Sequence, residues 1–166
     1  MSKKVYEFDK QHTIGKNGEI LLTVLFPNNF KMNTDFNGDL IINDKHKFEL
    51  KTDTYKSGNF FFERKSNVRL DNDGSVWQSK HHECKYFAFY MIRYDVVCVW
   101  ETDILLEWLE NNISNYGEII VENKTKESMG YKIPFNDVKY LCKDIINLKK
   151  VNNYFKIKKE LNLNIN

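Results

Sequence analysis

The apolar residues of this chain recur at two spacings, which predict an alternation of helices and strands. A spacing of about 3.6 residues runs from Gly15 to Phe26 and stops at Pro27, which predicts a first helix. Three strand-like runs follow, at residues 39–43, 47–53 and 59–65. Because only the short polar segment 44–46 separates the first two runs, they predict a β-hairpin, and we expect all three strands to form one antiparallel meander.

The second half of the chain continues this alternation. Its patterns predict, in order, a helix at 75–83, strands at 86–92 and 95–101, a helix at 102–113, a strand at 117–123 and a last helix at 133–148. The order begins αβββαβ, which predicts an α/β (α+β) fold with a mixed β-sheet flanked by helices. At 166 residues, of which 42% are hydrophobic, the chain is the right size for a single domain spanning residues 1–166.

The predicted strand FELKTD, at residues 48–53, carries its charged residues on one face. Side chains alternate between the two faces of a strand, so Glu49, Lys51 and Asp53 point the same way. A half-buried edge strand with a solvated face would show the same alternation. The residues that precede this strand therefore decide between a surface feature and a functional site.

Further carboxylates lie in the elements before this strand. Asp39 begins the neighbouring strand, ten residues before Glu49, and Glu19 lies on the first helix. Whether Asp39 shares the face of Glu49 depends on the hairpin register, because a slip of one residue turns a side chain to the opposite face. Asp35 is the alternative if Asp39 points away. The weaker candidates are Asp53 and Glu63.

A helical glutamate, an aspartate at a strand start and a Glu-x-Lys in the next strand resemble the active-site pattern of the PD-(D/E)xK (restriction-endonuclease-like) nuclease superfamily. The resemblance covers the stretch from Ile14 to Glu63 and is closest to small phage and bacterial members. In those proteins the strand ELKTD is followed by a Gly-Asn pair and a hydrophobic strand that ends in Glu, as in SGNFFFE at 57–63. Gly38 stands where the namesake motif has its proline, which ligates nothing.

The resemblance implies a restriction-endonuclease-like core and a metal-dependent endonuclease that hydrolyses DNA. Asp39 and Glu49 are then the ligands of Mg²⁺ or Mn²⁺, and Lys51 orients or deprotonates the attacking water. Glu19 is expected to hold a metal-bound water or a second ion. The chemistry agrees, because hydrolysis of a phosphodiester requires a hard cation, which carboxylate oxygens bind well.

The segment from Arg64 to Lys85 combines basic and aromatic residues and is the candidate surface for nucleic acid. Basic side chains neutralise phosphates, and an aromatic ring can stack on a base. The residues expected to bind nucleic acid are Arg64, Lys65, Arg69, Trp77, Gln78 and Lys80. The formal charge of +2 leaves the partner open, because affinity depends on where the basic residues cluster.

Two other functions remain open at this stage. A nuclease-like fold can serve as a binding module or an inhibitor, although the complete carboxylate and lysine set favours an enzyme, and RNA is an alternative substrate. The sequence has no run of about 18 apolar residues, which predicts a protein without a membrane segment. The widely spaced Cys84, Cys98 and Cys142 predict reduced thiols in a cytoplasmic protein. We expect a homodimer, as is common in this superfamily.

Overall fold

A computed structural model describes residues 8–35, 37–122 and 125–165 of the chain. The helices are α1 (Phe8–Leu25), α2 (Ser75–His81), α3 (Thr102–Asn112), α4 (Phe135–Val138) and α5 (Tyr154–Glu160). The strands are β1 (Phe30–Met32), β2 (Leu40–Ile42), β3 (His46–Asp53), β4 (Asn59–Asn67), β5 (Asn72–Asp73), β6 (Tyr86–Met91), β7 (Val96–Glu101), β8 (Glu118–Glu122), β9 (Glu127–Pro134) and β10 (Asp144–Asn147). Across these described ranges, the helices are too short or too polar to span a bilayer.

The strands form two sheets. The larger has six strands in the order β1-β2-β3-β6-β7-β10, and the smaller has four in the order β5-β4-β9-β8. The pair β3 and β6 is parallel, while the other neighbours in both sheets are antiparallel. The protein is therefore a mixed α/β structure with a mixed sheet flanked by helices, as the sequence predicts.

Each face of the six-stranded sheet covers its own hydrophobic core. On one face the even-numbered residues of β3 and β6, such as Phe48 and Ala88, pack against Leu21 and Leu22 of α1 and against α5. On the other face the odd-numbered residues of β6 pack against Phe60 and Phe62 of β4 and against α3. Strand β6, the neighbour of β3, contributes side chains to both cores.

The predicted antiparallel meander is wrong in its third strand. The strand at 59–65 forms as β4, but it pairs with β5 and β9 in the smaller sheet and not with β3. The neighbour of β3 is instead β6, whose side chains are almost all buried on both faces. A strand that is apolar on both faces is stable only inside a covered sheet, so β6 takes the central position.

Two other predicted elements change in the structure. The helix predicted at 133–148 is wrong, because this segment contains the end of β9, the single turn of α4 and strand β10. The first helix begins at Phe8, seven residues before its predicted start. The strand predicted at 117–123 is confirmed as β8 up to Glu122, and Asn123 lies outside the described residues.

Candidate active site

The candidate site lies where the six-stranded sheet opens along one edge of β3. Strand β3 pairs with β6 from Phe48 to Asp53, but it pairs with β2 only from His46 to Phe48. Beyond Phe48 a side chain replaces the neighbouring strand as hydrogen-bond partner, because Oδ2 of Asp39 accepts a hydrogen bond of 2.8 Å from the backbone N–H of Leu50. The chain around Asp39 therefore ends the pairing and leaves the rest of this edge accessible.

The register of the hairpin places Asp39 beside Glu49. Leu40 lies opposite Phe48, so continuing the register by one residue brings Asp39 opposite Glu49, on the same face. The backbone N–H of Asp39 also donates to the carbonyl oxygen of Phe48 at 3.1 Å, which holds this register. The alternative carboxylate, Asp35, lies exposed in the preceding loop.

A cleft of about 680 Å³ opens at this edge of β3. One wall is α1, which contributes Glu19 together with polar residues of its first half, and the opposite wall is β4, which contributes Phe61 and Glu63. Asp39 and Lys51 lie between the two walls. The cleft thus collects carboxylates and a lysine from α1, the β2–β3 hairpin and the smaller sheet.

Glu49 and Lys51 share a face, as the alternation of β3 predicts, and they form an ion pair. Their side chains meet at 2.8 Å, between Nζ of Lys51 and Oε1 of Glu49. Glu49 is buried, whereas 40% of the Lys51 side chain is exposed. Glu19 is also buried, and it pairs with Nζ of Lys16 at 2.8 Å, so in this structure its carboxylate faces a lysine of its own helix.

Crowding of the carboxylates changes the proton affinities in the cleft. Burial, followed by repulsion from the Glu49 carboxylate, raises the pKa of Asp39 to about 7, against the opposing effects of Lys51 and the Leu50 N–H. Desolvation lowers the pKa of Lys51, but attraction to Glu49, Asp39 and Glu63 outweighs it and raises the pKa above its usual value. Lys51 is therefore a cation at neutral pH and acts through its charge.

The pair Asp39 and Glu49 is suited to a hard divalent cation. Two partly desolvated carboxylates on one face repel each other, and a cation placed between them would remove that repulsion. Mg²⁺ is typically held by one or two carboxylates and keeps several waters, so two protein ligands suffice. In the described part of the chain, no group of three or more His, Cys, Asp or Glu side chains is placed so that it could hold a metal ion.

The predicted nucleic-acid residues are not gathered on an open basic surface. Trp77 is only 5% exposed and packs in the core, where the Arg64 guanidinium lies 4.8 Å from its ring centre. Arg64 and Lys65 both pair with Asp73, and Lys80 pairs with Asp103 at 2.7 Å. The expected stacking of a base on Trp77 does not fit this placement. The remaining two residues differ in exposure: Arg69 is exposed and Gln78 is partly buried.

Sequence reasoning missed the part of the cleft formed by the first turns of α1. Gln11 and His12 line the cleft but precede the predicted start of the helix at Gly15. Their only signal is their position upstream of Glu19, because the apolar spacing that identifies the helix begins later. It also missed Gly18, where the close contact of α1 with β3 occurs.

Comparisons with known proteins identify no relative of this chain. No protein-family model matches it, and neither curated proteins nor solved structures give a significant match. Any functional conclusion therefore depends on the residues and distances described above.

Proposed function

We propose that this protein is a metal-dependent endonuclease that hydrolyses phosphodiester bonds of DNA and that its core is of the restriction-endonuclease-like, PD-(D/E)xK type. The observation that carries the proposal is the convergence of three residues at the open edge of β3. Asp39 and Lys51 line the cleft, and the buried Glu49 lies directly behind them, paired with Lys51. Asp39 directly precedes β2, whereas Glu49 and Lys51 both lie on β3. The register of the β2–β3 hairpin therefore decides whether Asp39 meets the other two residues.

The proposed chemistry divides the work between the carboxylates and the lysine. Asp39 and Glu49 would hold Mg²⁺ or Mn²⁺, which neutralises the phosphate oxygens and lowers the pKa of an attacking water. Lys51 carries a positive charge beside Glu49, so it can orient that water and stabilise the charge that develops on the phosphate. Its elevated pKa favours this electrostatic role over proton abstraction.

Glu19 supplies a further carboxylate from the α1 wall of the cleft. It lines the same cleft as Asp39 and Lys51, and its charge is among those that raise the pKa of Asp39. Release from Lys16, whose side chain is 50% exposed, would allow Glu19 to orient a water in the cleft. We therefore assign Glu19 to water positioning.

The proposed substrate is DNA, and the proposed assembly is a homodimer in the cytoplasm. A single cleft cuts one strand at a time, so cutting both strands of a duplex calls for two copies of the chain. Two exposed basic residues, Arg69 of the β4–β5 turn and Lys80 of α2, would contact phosphates outside the cleft.

The direct test is a cleavage panel. Duplex DNA, single-stranded DNA, a four-way DNA junction and RNA are each incubated with Mg²⁺, Mn²⁺, Ca²⁺ or EDTA. We expect DNA to be cut with Mg²⁺ or Mn²⁺ and left intact with EDTA. Cutting of RNA alone would make the protein an RNA endonuclease, and binding without any cutting would make it a binding module or inhibitor built on this fold.

A further inference from the structure

Glu63 faces the cleft from the second sheet and is the carboxylate of the opposite wall. It lies on β4, lines the same cleft as Lys51, and the two side chains attract each other across the cleft. Lys51 therefore contacts one carboxylate directly, Glu49 of its own strand at 2.8 Å, and shares the cleft with a second, Glu63 of the other sheet. Only Glu49 belongs to the proposed metal ligands.

Two glycines leave the space that Glu63 occupies. A Cβ atom added at Gly74 would lie 2.7 Å from Oε1 and 2.8 Å from Cγ of Glu63. A Cβ atom added at Gly130, its partner on β9, would lie 2.8 Å from Cα of Glu63 and 2.4 Å from the carbonyl oxygen of Phe62. Real Cβ atoms do not approach other atoms so closely, so any other residue at either position would move Glu63.

A hydrogen bond and a bulge fix the same residue. Oγ of Ser75 accepts a bond of 2.9 Å from the backbone N–H of Glu63, and the nearby Ser128 side chain lowers the pKa of the Glu63 carboxyl against the raising effect of its burial. Both serines are buried, at 5% and 3% exposure. The pairing of β4 with β9 shifts between Glu63 and Lys65, and bulges of this kind redirect side chains next to functional sites.

We propose that Glu63 is a positioning residue that holds the Lys51 ammonium at the cleft floor for the reaction. The inference rests on the proposed nuclease function and extends it to the second sheet. Glu49 must serve the cation as well as Lys51, so it cannot by itself fix the lysine while a cation is bound. Glu63 is fixed by the hydrogen bond to Ser75 and by the close packing at Gly74 and Gly130, and it lies outside the ligand pair. It therefore supplies an anchor that the cation does not share.

The test is the variant Glu63→Gln, which keeps the shape of the side chain but removes its charge. We expect kcat for DNA cleavage to fall about 10- to 100-fold, the effect of a misplaced catalytic group, while the Mn²⁺ concentration for half-maximal activity stays unchanged. The matched control is Glu118→Gln, an exposed carboxylate on the same sheet, which should keep the parent kcat.

A double-mutant cycle separates positioning from a purely structural role. In a Lys51→Ala background, Glu63→Gln should cause no further loss of the residual single-turnover cleavage, because the group it positions is gone. Gly74→Ala, which displaces the carboxylate without removing it, should reproduce the fall in kcat and provides the test if Glu63→Gln does not fold.

Three results would overturn the inference while leaving the nuclease function intact. These are a Glu63→Gln kcat within twofold of the parent, a rise in the Mn²⁺ requirement that would mark Glu63 as a metal ligand, and an undiminished effect in the Lys51→Ala background. A parent protein that cuts no nucleic acid with any cation would instead refute the proposed function, and the role of Glu63 with it.

Discussion

At the scale of single residues, Asp39 shows how a buried, crowded carboxylate opposes stability. Its carboxylate accepts the Leu50 N–H, which favours the charged form, yet burial and the neighbouring Glu49 carboxylate favour the protonated form more strongly. The folded protein therefore holds a charge where it is poorly solvated. Such conflicts between stability and activity are typical of active sites.

We predict that Asp39→Asn stabilises the protein above neutral pH. The pKa of Asp39 is raised from 3.8 to about 7 on folding, so the native state binds the proton more tightly than the unfolded chain does. Its contribution to stability is present below pH 3.8 and is lost as the pH rises through about 7. At pH 8 the variant should exceed the parent by about 1 kcal/mol or more in free energy of unfolding, measured by urea denaturation.

Asp35→Asn is the matched control, because Asp35 lies exposed four residues away. It should leave the pH dependence of unfolding as in the parent. An Asp39→Asn protein that loses stability with rising pH as steeply as the parent would show that Asp39 is well solvated and not crowded by Glu49.

At the scale of secondary-structure elements, the close contact between α1 and β3 brings Glu19 to the cleft. A Cβ atom added at Gly18 would lie 2.3 Å from Oγ1 of Thr52, so the absence of a side chain is what allows the helix to approach. That oxygen is buried and has no hydrogen-bond partner among the described residues. The close packing of α1 on β3 therefore outweighs the cost of one unsatisfied hydroxyl.

We predict that Gly18→Ala destabilises the protein by about 1–3 kcal/mol, the usual effect of overpacking, and lowers DNA cleavage by moving Glu19. Gly15→Ala is the control on the same helix, because a Cβ atom there meets nothing within 4 Å. It should raise stability by about 0.5–1 kcal/mol through helix propensity. Thermal unfolding of both variants measures the contrast, and equal effects at the two glycines would argue against a close contact.

The element scale also shows how far the sequence predicts the fold and the site. The alternation in FELKTD correctly predicts that Glu49 and Lys51 share a face, because the alternation of side chains between the two faces depends only on the strand itself. A local pattern does not determine which strands pair with each other. The sequence therefore did not predict that β3 pairs in parallel with β6, or that β4 belongs to the smaller sheet. Residues 144–147 form β10 because they pair with the edge of β7, and this pairing outweighs the helix-like spacing of their apolar residues.

At the scale of the whole molecule, a buried polar network attaches the last helix to the sheet. Lys158 of α5 donates to Oδ1 of Asp95 at 2.6 Å and to the carbonyl oxygen of Ile92 at 3.0 Å. The Tyr154 hydroxyl donates to the same Asp95 oxygen and contacts the Tyr90 hydroxyl at 2.8 Å. The network joins α5 to the β6–β7 turn, so the end of the chain belongs to the core.

We predict that Lys158→Ala lowers the free energy of unfolding by about 3 kcal/mol, because it removes the close ammonium partner of the buried Asp95 carboxylate and leaves the more distant ammonium of Lys149, at 3.9 Å. Lys159→Ala, at the exposed neighbouring position, should change stability by less than about 0.5 kcal/mol. Urea denaturation of both variants measures the difference. A similar small effect for both would mean that α5 is not anchored through this network.

In the proposed reaction, Lys51 acts as a cation beside the two carboxylates proposed to bind the metal, and this role is central to the proposed function. The most direct measurement is the single-turnover rate of DNA cleavage with Mg²⁺ for the parent, for Lys51→Ala and for Lys45→Ala, an exposed lysine of the β2–β3 turn. We predict that Lys51→Ala lowers the rate by at least about 100-fold while the protein stays folded, that Lys45→Ala matches the parent, and that EDTA abolishes cleavage throughout. Cleavage by Lys51→Ala at the parent's rate, or cleavage that persists in EDTA, would contradict the account.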